Sequence, residues 1–215
     1  MRVFLMILAI VILAIGCQKE QPAVPVQLPP VEAQPEQTVA EPNVTKPLPA
    51  QFLQLVDKVK SLDSFSYNYR SPDNKLERQF FVKGSLIKIV LPQMNIEEQG
   101  KFYNTIYINA SAKRAEAYCI GYSKCEGRTG KIKDLKYDET YIDTPVDWLS
   151  KAASAEEKGQ GQIEGRNAIF FQTDKGKFAV EKFYGFLYRV EQEEKAWEFS
   201  DASFNSVKNE DVLPQ

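Results

Sequence analysis

Phe65-Ser66-Tyr67-Asn68-Tyr69-Arg70, then the turn Ser71-Pro72-Asp73-Asn74, then Leu76 to Lys83: this stretch decides the fold of the chain. Aromatic and polar residues alternate through its first part, the period of two with which a half-buried strand turns one face inward. The chain comes back after a four-residue turn, too short for a parallel crossover, so the two segments pair antiparallel. Ser85 to Leu91, Phe102 to Asn109 and Ala112 to Cys119 extend the pattern, rich in β-branched and aromatic residues and separated by Gly84 and by a Pro92 to Gly100 loop. An antiparallel meander is predicted. With simple pairing, Phe65, Tyr67, Tyr69, Leu76, Phe80, Val82, Ile87 and Ile89 share one face, which either packs under helices or lines an apolar cavity. Arg78 falls in the same row, where it either snorkels at the rim or meets an anionic headgroup.

Outward from this stretch the period changes. Upstream, Phe52, Leu55, Val56, Val59 and Leu62 recur at helical spacing opposite Gln54, Asp57, Lys58 and Lys60, so one amphipathic helix opens the domain. Downstream, Thr144-Pro145-Val146-Asp147 reads as a helix start. Thr144 caps, Pro145 suits the first helical position and Asp147 reaches back, with Trp148, Leu149 and Ala152 on the apolar face. Lys158-Gly159-Gln160-Gly161 is read as the end of that helix. Strands resume at Ile163 to Thr173, Phe178 to Phe183, Leu187 to Gln192 and Ala196 to Phe204. The fold class predicted is α+β, mainly antiparallel β, a large sheet with two helices.

Catalytic chemistry is sparse. The chain has no histidine, the side chain most often used for acid-base work at neutral pH, so Ser-His and Cys-His arrangements are excluded. The carboxylate pairs Glu97-Glu98, Asp138-Glu139, Glu156-Glu157 and Glu193-Glu194 are adjacent residues whose side chains diverge, and they read as solvated charge. Gly127-Arg128-Thr129-Gly130-Lys131 lacks the spacing and the hydroxyl residue of a phosphate loop. No enzyme, no metal and no cofactor are expected. Lys and Arg total 27 against 29 Asp and Glu, without a dense basic block, so nucleic acid is not expected as a partner. Arg128, Lys131, Lys133 and Lys136, broken by Asp134, read as a solvated loop face.

The first residues carry a different message. Met1 and Arg2 precede thirteen uninterrupted apolar residues, Val3 to Ile15, then Gly16 and Cys17. That run spans about 20 Å as a helix, short of the ~30 Å a stable span needs, and reads as the apolar region of a signal peptide. Residues 18 to 49 hold eight of the chain's twelve prolines and no glycine, the composition of a tether without a packed core. Residues 50 to 215 hold twenty-four of the twenty-five aromatic residues, enough for one ordinary domain with a real core. Leu13-Ala14-Ile15-Gly16-Cys17 resembles the lipobox of exported lipoproteins, and this implies a lipidated Cys17, with an uncleaved anchor or ordinary secretion as the other readings. The expected division is a signal peptide at 1–16, a lipidated cysteine and tether at 17–49 and a folded domain at 50–215. Outside the cytoplasm, the remaining cysteines, Cys119 and Cys125, favour a disulfide staple.

The order of helix, antiparallel strands, helix and further strands on a lipoprotein tether resembles the LolA/LolB-like lipoprotein carrier superfamily. Phe81-Val82-Lys83-Gly84-Ser85-Leu86-Ile87-Lys88-Ile89 looks like that family's strand, Gly turn and basic-apolar strand. Ile163-Glu164-Gly165-Arg166-Asn167-Ala168 looks like another of its strand starts, and Phe178 to Val190 resembles its hairpin near the C-terminus. Phe204 to Val207 with Asp211-Val212-Leu213-Pro214 is similar to its closing segment. Glu181 stands where the family has Asp, and Phe186-Leu187 lacks the turn proline. The resemblance implies a curved sheet or half-open barrel with two or more helices packed on its concave side, over an apolar cavity for acyl chains. Burying each methylene contributes ~0.8 kcal/mol, so a dry aromatic trough holds lipid without any catalytic group. The ligand-binding residues expected are Phe65, Tyr67, Tyr69, Arg78, Phe80, Ile87, Ile89 and Trp148. The partners expected are the membrane through lipidated Cys17, an acyl-chain or other apolar ligand, and an envelope protein. The location expected is extracytoplasmic, anchored to the cell membrane. The alternative is a stalk-displayed structural or sensory domain whose concave face is filled by its own side chains.

Overall fold

Helix α1 (Ala50–Lys60) opens the structure, a computed structural model that describes residues 48–96, 102–121, 125 and 130–214. The signal-peptide, lipobox and tether readings, Cys17 among them, lie outside the described residues. α1 buries Phe52, Leu55, Val56 and Val59, the stripe its spacing dictates. Six strands follow: β1 (Ser64–Ser71), β2 (Asn74–Lys83), β3 (Leu86–Ile96), β4 (Phe102–Asn109), β5 (Arg114–Cys119) and β6 (Gly130–Leu135). The short helices α2 (Tyr137–Thr140) and α3 (Pro145–Ser150) come next. Five more strands, β7 (Ala155–Ile163), β8 (Arg166–Thr173), β9 (Gly176–Glu181), β10 (Leu187–Gln192) and β11 (Lys195–Phe204), precede the closing turn of helix α4 (Asn209–Val212).

All eleven strands form one open, curved, antiparallel sheet in the order β6-β5-β4-β3-β2-β1-β11-β10-β9-β8-β7. Two meanders are sewn together where β1 pairs with β11, and the α2–α3 segment carries the chain from one outer edge to the other. The inward side chains run in rows across the strands. Tyr67 faces Phe80, Phe80 faces Ile89, Ile89 faces Ile106, and Ile106 faces Ala117. Side chains in this row shrink from aromatic at the centre to alanine near the edge. On the other half, Phe171 faces Phe178, Phe178 faces Val190, and Val190 faces Trp197. The core is therefore a half-barrel filled from its concave side. Its centre is an aromatic cluster in which Tyr67 stacks on Phe80 at 5.0 Å and meets Phe186 at 5.9 Å and Phe199 at 5.7 Å.

Several local expectations changed. α3 has the capping box read from the sequence, with Thr144 Oγ1 accepting from the Asp147 amide at 3.3 Å and Asp147 Oδ2 accepting from the Thr144 amide at 2.8 Å. The helix nevertheless stops at Ser150, and Ala155–Ile163 is the edge strand β7, with an extra residue between Glu157 and Gly159. An edge strand that is wet on both faces shows no apolar alternation, and its glycines pass for a helix stop. The basic stretch near 131–136 is likewise the edge strand β6, where Lys131 pairs with Glu116 and Asp134, each at 2.8 Å. Pro92 lies within β3, at a register shift between Val90 and Asn95 where the ladder has no use for an N–H. Leu76 sits on the predicted face but past the end of the core, and is exposed.

Cys119 and Cys125 form a disulfide with their Cα atoms 5.7 Å apart. Beside it the Asn104 side chain donates to the Ile120 carbonyl at 2.8 Å and accepts from its amide at 3.0 Å. Staple and amide clasp together hold the end of β5.

Gly185, with φ +72°, lies so close to α1 that a Cβ there would overlap the Leu55 carbonyl oxygen, whereas Gly84, with φ +55°, faces open space. Gly84→Ala is expected to cost about 1–2 kcal/mol from backbone strain alone. Gly185→Ala adds steric overlap and is expected to cost about 3 kcal/mol or more, read as the difference in urea midpoints.

Candidate functional site

One end of the half-barrel collects the α1–β1, β2–β3, β4–β5, β7–β8 and β9–β10 connections, by the order and direction of the strands. A cavity of about 310 Å³ opens there. Its apolar wall is built by Val59 and Leu62 from the end of α1, Phe65 from β1, Val82 from β2, Ile87 from β3 and Val146 from α3. Alternation on the strands and the 3.6 period on α1 turn these side chains to a common space. The size lies at the low end of the ~300–1,000 Å³ typical of small-molecule sites, enough for a slender apolar group.

The polar side of this mouth is a knot around one carboxylate. Asp147 Oδ2 accepts from the Tyr141 hydroxyl at 2.7 Å, from the Thr144 hydroxyl at 2.6 Å and from the Thr144 amide at 2.8 Å. Burial, then the hydrogen bond to Asp147, pushes the Tyr141 phenol well above its ordinary value. Lys151 pairs with Asp143 at 2.6 Å behind it. The knot holds the α2–α3 segment over the concave face. It also leaves Asp147 few acceptor sites for any outside group.

Behind the mouth, two buried hydroxyls have no hydrogen-bond partner of ordinary geometry: Tyr67 and Tyr188. Tyr67 is 1% exposed. Burial first, then the neighbouring Tyr69, Asp147 and Tyr141, raises its pKa well above 10.0. Tyr188 is raised to about 12 by burial, opposed by the nearby Arg166 guanidinium. Both rings pack around Phe186, at 5.9 and 5.2 Å. An unpaired buried hydroxyl costs about 1–3 kcal/mol, so this interior carries two donors without acceptors.

Of the eight expected ligand residues, Phe65 and Ile87 line the mouth. Tyr67, Phe80 and Ile89 lie deeper in the same inward rows, all nearly inaccessible. Tyr69 and Arg78 face each other toward the far end; Arg78 is half-buried, and its charge opposes the rise that burial causes in the Tyr69 pKa. Trp148 belongs to the other half of the sheet, 5.3 Å from Trp197 and 6.3 Å from Phe178. The structure thus spreads these residues along and across the half-barrel. Tyr141, Val146 and Tyr188 carried no site signal in the sequence, because they belong to elements without regular alternation or to the irregular β9–β10 junction.

A larger groove, about 630 Å³, lies on the convex side of β7 to β10 beside Phe170, Ala179 and Arg189. Two of its basic groups are paired, Arg189 with Glu191 and Lys158 with Glu156, each at 2.9 Å. Phe170 is exposed in this groove, whereas Phe171 and Phe178, which also line it, belong to the core and are 1% exposed.

Fold and site together define an open antiparallel half-barrel with helices in its concavity, the architecture that the resemblance implied. No family model matches the chain, and no curated protein sequence matches it. Among solved structures, the chain is similar to LprF from Mycobacterium bovis, at 9% identity and a TM-score of 0.46, over 78% of this chain and 98% of that one. It is also similar to a domain described as that of an outer membrane lipoprotein-sorting protein from Vibrio parahaemolyticus. That likeness has 9% identity and a TM-score of 0.27, over 74% of this chain and 95% of the other. At such values no residue role transfers.

Because the folded state keeps Tyr67, Tyr141 and Tyr188 protonated above the ordinary tyrosine value, stability is intact below about pH 10 and falls as the pH rises further, where the unfolded chain ionises first. Tyr67→Phe removes an unpartnered hydroxyl and one of these groups. It is expected to raise stability at neutral pH by about 1 kcal/mol and to soften the alkaline loss, in denaturation curves taken at pH 7 and 11.

Proposed function

We propose that this chain is a membrane-anchored extracytoplasmic lipoprotein whose half-barrel takes an acyl chain or another apolar ligand through the mouth beside Phe65, Ile87 and Val146. The observation that carries the reading is the apolar mouth itself, which leads into a continuous aromatic interior holding two unpartnered hydroxyls. Binding in such a site needs only burial of methylenes, at ~0.8 kcal/mol each, plus rotamer changes in the aromatic cluster to admit the chain. The polar end of an amphipathic ligand would remain at the mouth. Trafficking of lipids or lipoproteins between membranes would follow from reversible occupancy.

A second reading, a stalk-displayed interaction domain of the envelope with no ligand, is favoured by one feature. Phe52, Tyr67, Phe80, Phe171, Phe178, Phe186 and Phe199 already fill the concavity, each 1% exposed or less.

Native mass spectrometry of the full chain, purified from membranes in mild detergent, separates the two. An adduct with the mass of an acyl lipid is expected on the parent protein. Val146→Glu puts a carboxylate at a half-buried position of the mouth, and is expected to abolish the adduct while lowering stability by under about 1 kcal/mol. Absence of any adduct, together with no binding of a fluorescent fatty acid, leaves the displayed domain.

For the anchor, Cys17→Ser is expected to shift the protein from the detergent phase to the aqueous phase in Triton partition. Unchanged partition would point to an uncleaved apolar segment.

A further inference from the structure

The β9–β10 turn presents Phe183 to solvent, 72% exposed, and the surrounding structure is built to keep it there. Glu181, only 4% exposed, turns its carboxylate onto the turn itself: Oε1 accepts from the Phe183 amide at 2.6 Å and Oε2 from the Tyr184 amide at 2.7 Å. Lys58 Nζ donates to the Lys182 carbonyl at 2.8 Å, tying the turn to α1. The next residue but one, Gly185, is pressed against the Leu55 carbonyl. Tyr184 packs its ring on Phe204 at 4.1 Å and meets the Phe183 ring edge-on at 4.7 Å. An aromatic ring that burial does not claim is thus held rigidly at a turn tip, and its exposure is not a consequence of a loose loop.

Three cations surround it. Lys58, Lys182 and Arg166 line the same shallow depression as Phe183. Lys182 Nζ donates to the Gln160 amide oxygen at 2.9 Å, and the Arg166 guanidinium lies over the Phe204 ring at 5.6 Å. Among the described residues none of the three forms an ion pair. The nearest carboxylates are engaged with backbone: Glu181 caps the turn, and Glu164 accepts from the Asp201 amide at 3.2 Å. An exposed aromatic ring beside three cations that form no ion pair is complementary to a surface with anionic groups above an apolar layer. The turn stands at the same end of the sheet as the mouth.

We infer that the Phe183 turn, with Lys58, Lys182 and Arg166 around it, is a docking contact for an anionic lipid bilayer that brings the mouth end of the half-barrel to the membrane. The inference rests on the lipoprotein reading in taking a membrane as the neighbouring surface. The proline-rich stretch of residues 18 to 49 extends at most to about 100 Å, and an eleven-residue strand spans roughly 36 Å, so an anchored domain has the reach to dock by this end.

The test uses the full lipidated chain reconstituted in vesicles, with Phe183→Cys carrying an environment-sensitive fluorophore and, as a control, the same fluorophore on Leu76→Cys, an exposed apolar site toward the other end. On phosphatidylglycerol vesicles the label at 183 is expected to shift to the blue and to be quenched by bilayer-borne nitroxide, with neither change on phosphatidylcholine and neither at 76. Lys58→Gln and Lys182→Gln are each expected to lower the docked-to-free ratio roughly fivefold. Equal behaviour at 183 and 76, an equal response on the two lipids, or no response at 183 overturns the inference. So does a shift at 183 in detergent alone accompanied by a dimer mass, which makes the occupant a second copy of the chain. An acyl adduct without docking, or docking without an adduct, tells which of this contact and the ligand reading has failed.

Discussion

Strand β1 pairs with β2 on one side and with β11 on the other, and the rest of the molecule depends on that double pairing. Without it there are two meanders, each with one wet and one greasy face and no common interior. With it, Phe65, Tyr67 and Tyr69 stand at the centre of a single sheet, and their neighbours on both halves curve toward them. The pairing with β11 is interrupted between Ser66 and Asn68; an interruption of this kind adds bend and twist locally, where the two halves must turn toward each other. α1 then fits over this centre, with Phe52 edge-on to Phe171 at 5.1 Å, and the hydrophobic contribution of the whole domain concentrates in one cluster.

Polar groups set the margins of that cluster. Asp147 gathers Tyr141 and Thr144 into a knot that holds the crossing segment, and Glu181 does the corresponding work for the β9–β10 turn by satisfying two backbone amides. Both carboxylates spend their lone pairs on the fold itself. The hydroxyls of Tyr67 and Tyr188 differ: they lie inside the cluster with no acceptor to donate to, and the Arg166 guanidinium stands beside that of Tyr188.

Legibility in the sequence followed burial. Strand β1, with one face in the core, announced itself by alternation, β2 to β5 by β-branched and aromatic residues between turn signals, and α1 and the start of α3 by a 3.6 period and a capping box. The edge strands β6 and β7 did not, because solvent on both sides removes the pressure that writes a pattern. Ala155 to Ile163 contains two glycines and mostly polar side chains, which as local chemistry suit a loop as well as a strand; only its partner β8 makes it one. The candidate site shows the same division. Phe65 and Ile87 were visible as members of an inward row, while Tyr141 and Val146 reach the mouth through an irregular segment with no period to read.

By itself the sequence determined the kinds of elements, the antiparallel links between neighbours in the first meander, the inward rows of Tyr67 and its neighbours, and the lack of a histidine-based catalytic centre. These depend on interactions a few residues apart along the chain, on alternation, capping and turn length. The tertiary structure alone decided that β1 joins β11, from Phe65 facing Phe204 to Arg70 facing Glu198, that the row spreads over the whole half-barrel with only its end at a mouth, and that Phe183 is held outward beside three cations. Those outcomes come from long-range packing, where many partners of similar chemistry compete and shape complementarity selects among them, and no local pattern records that selection.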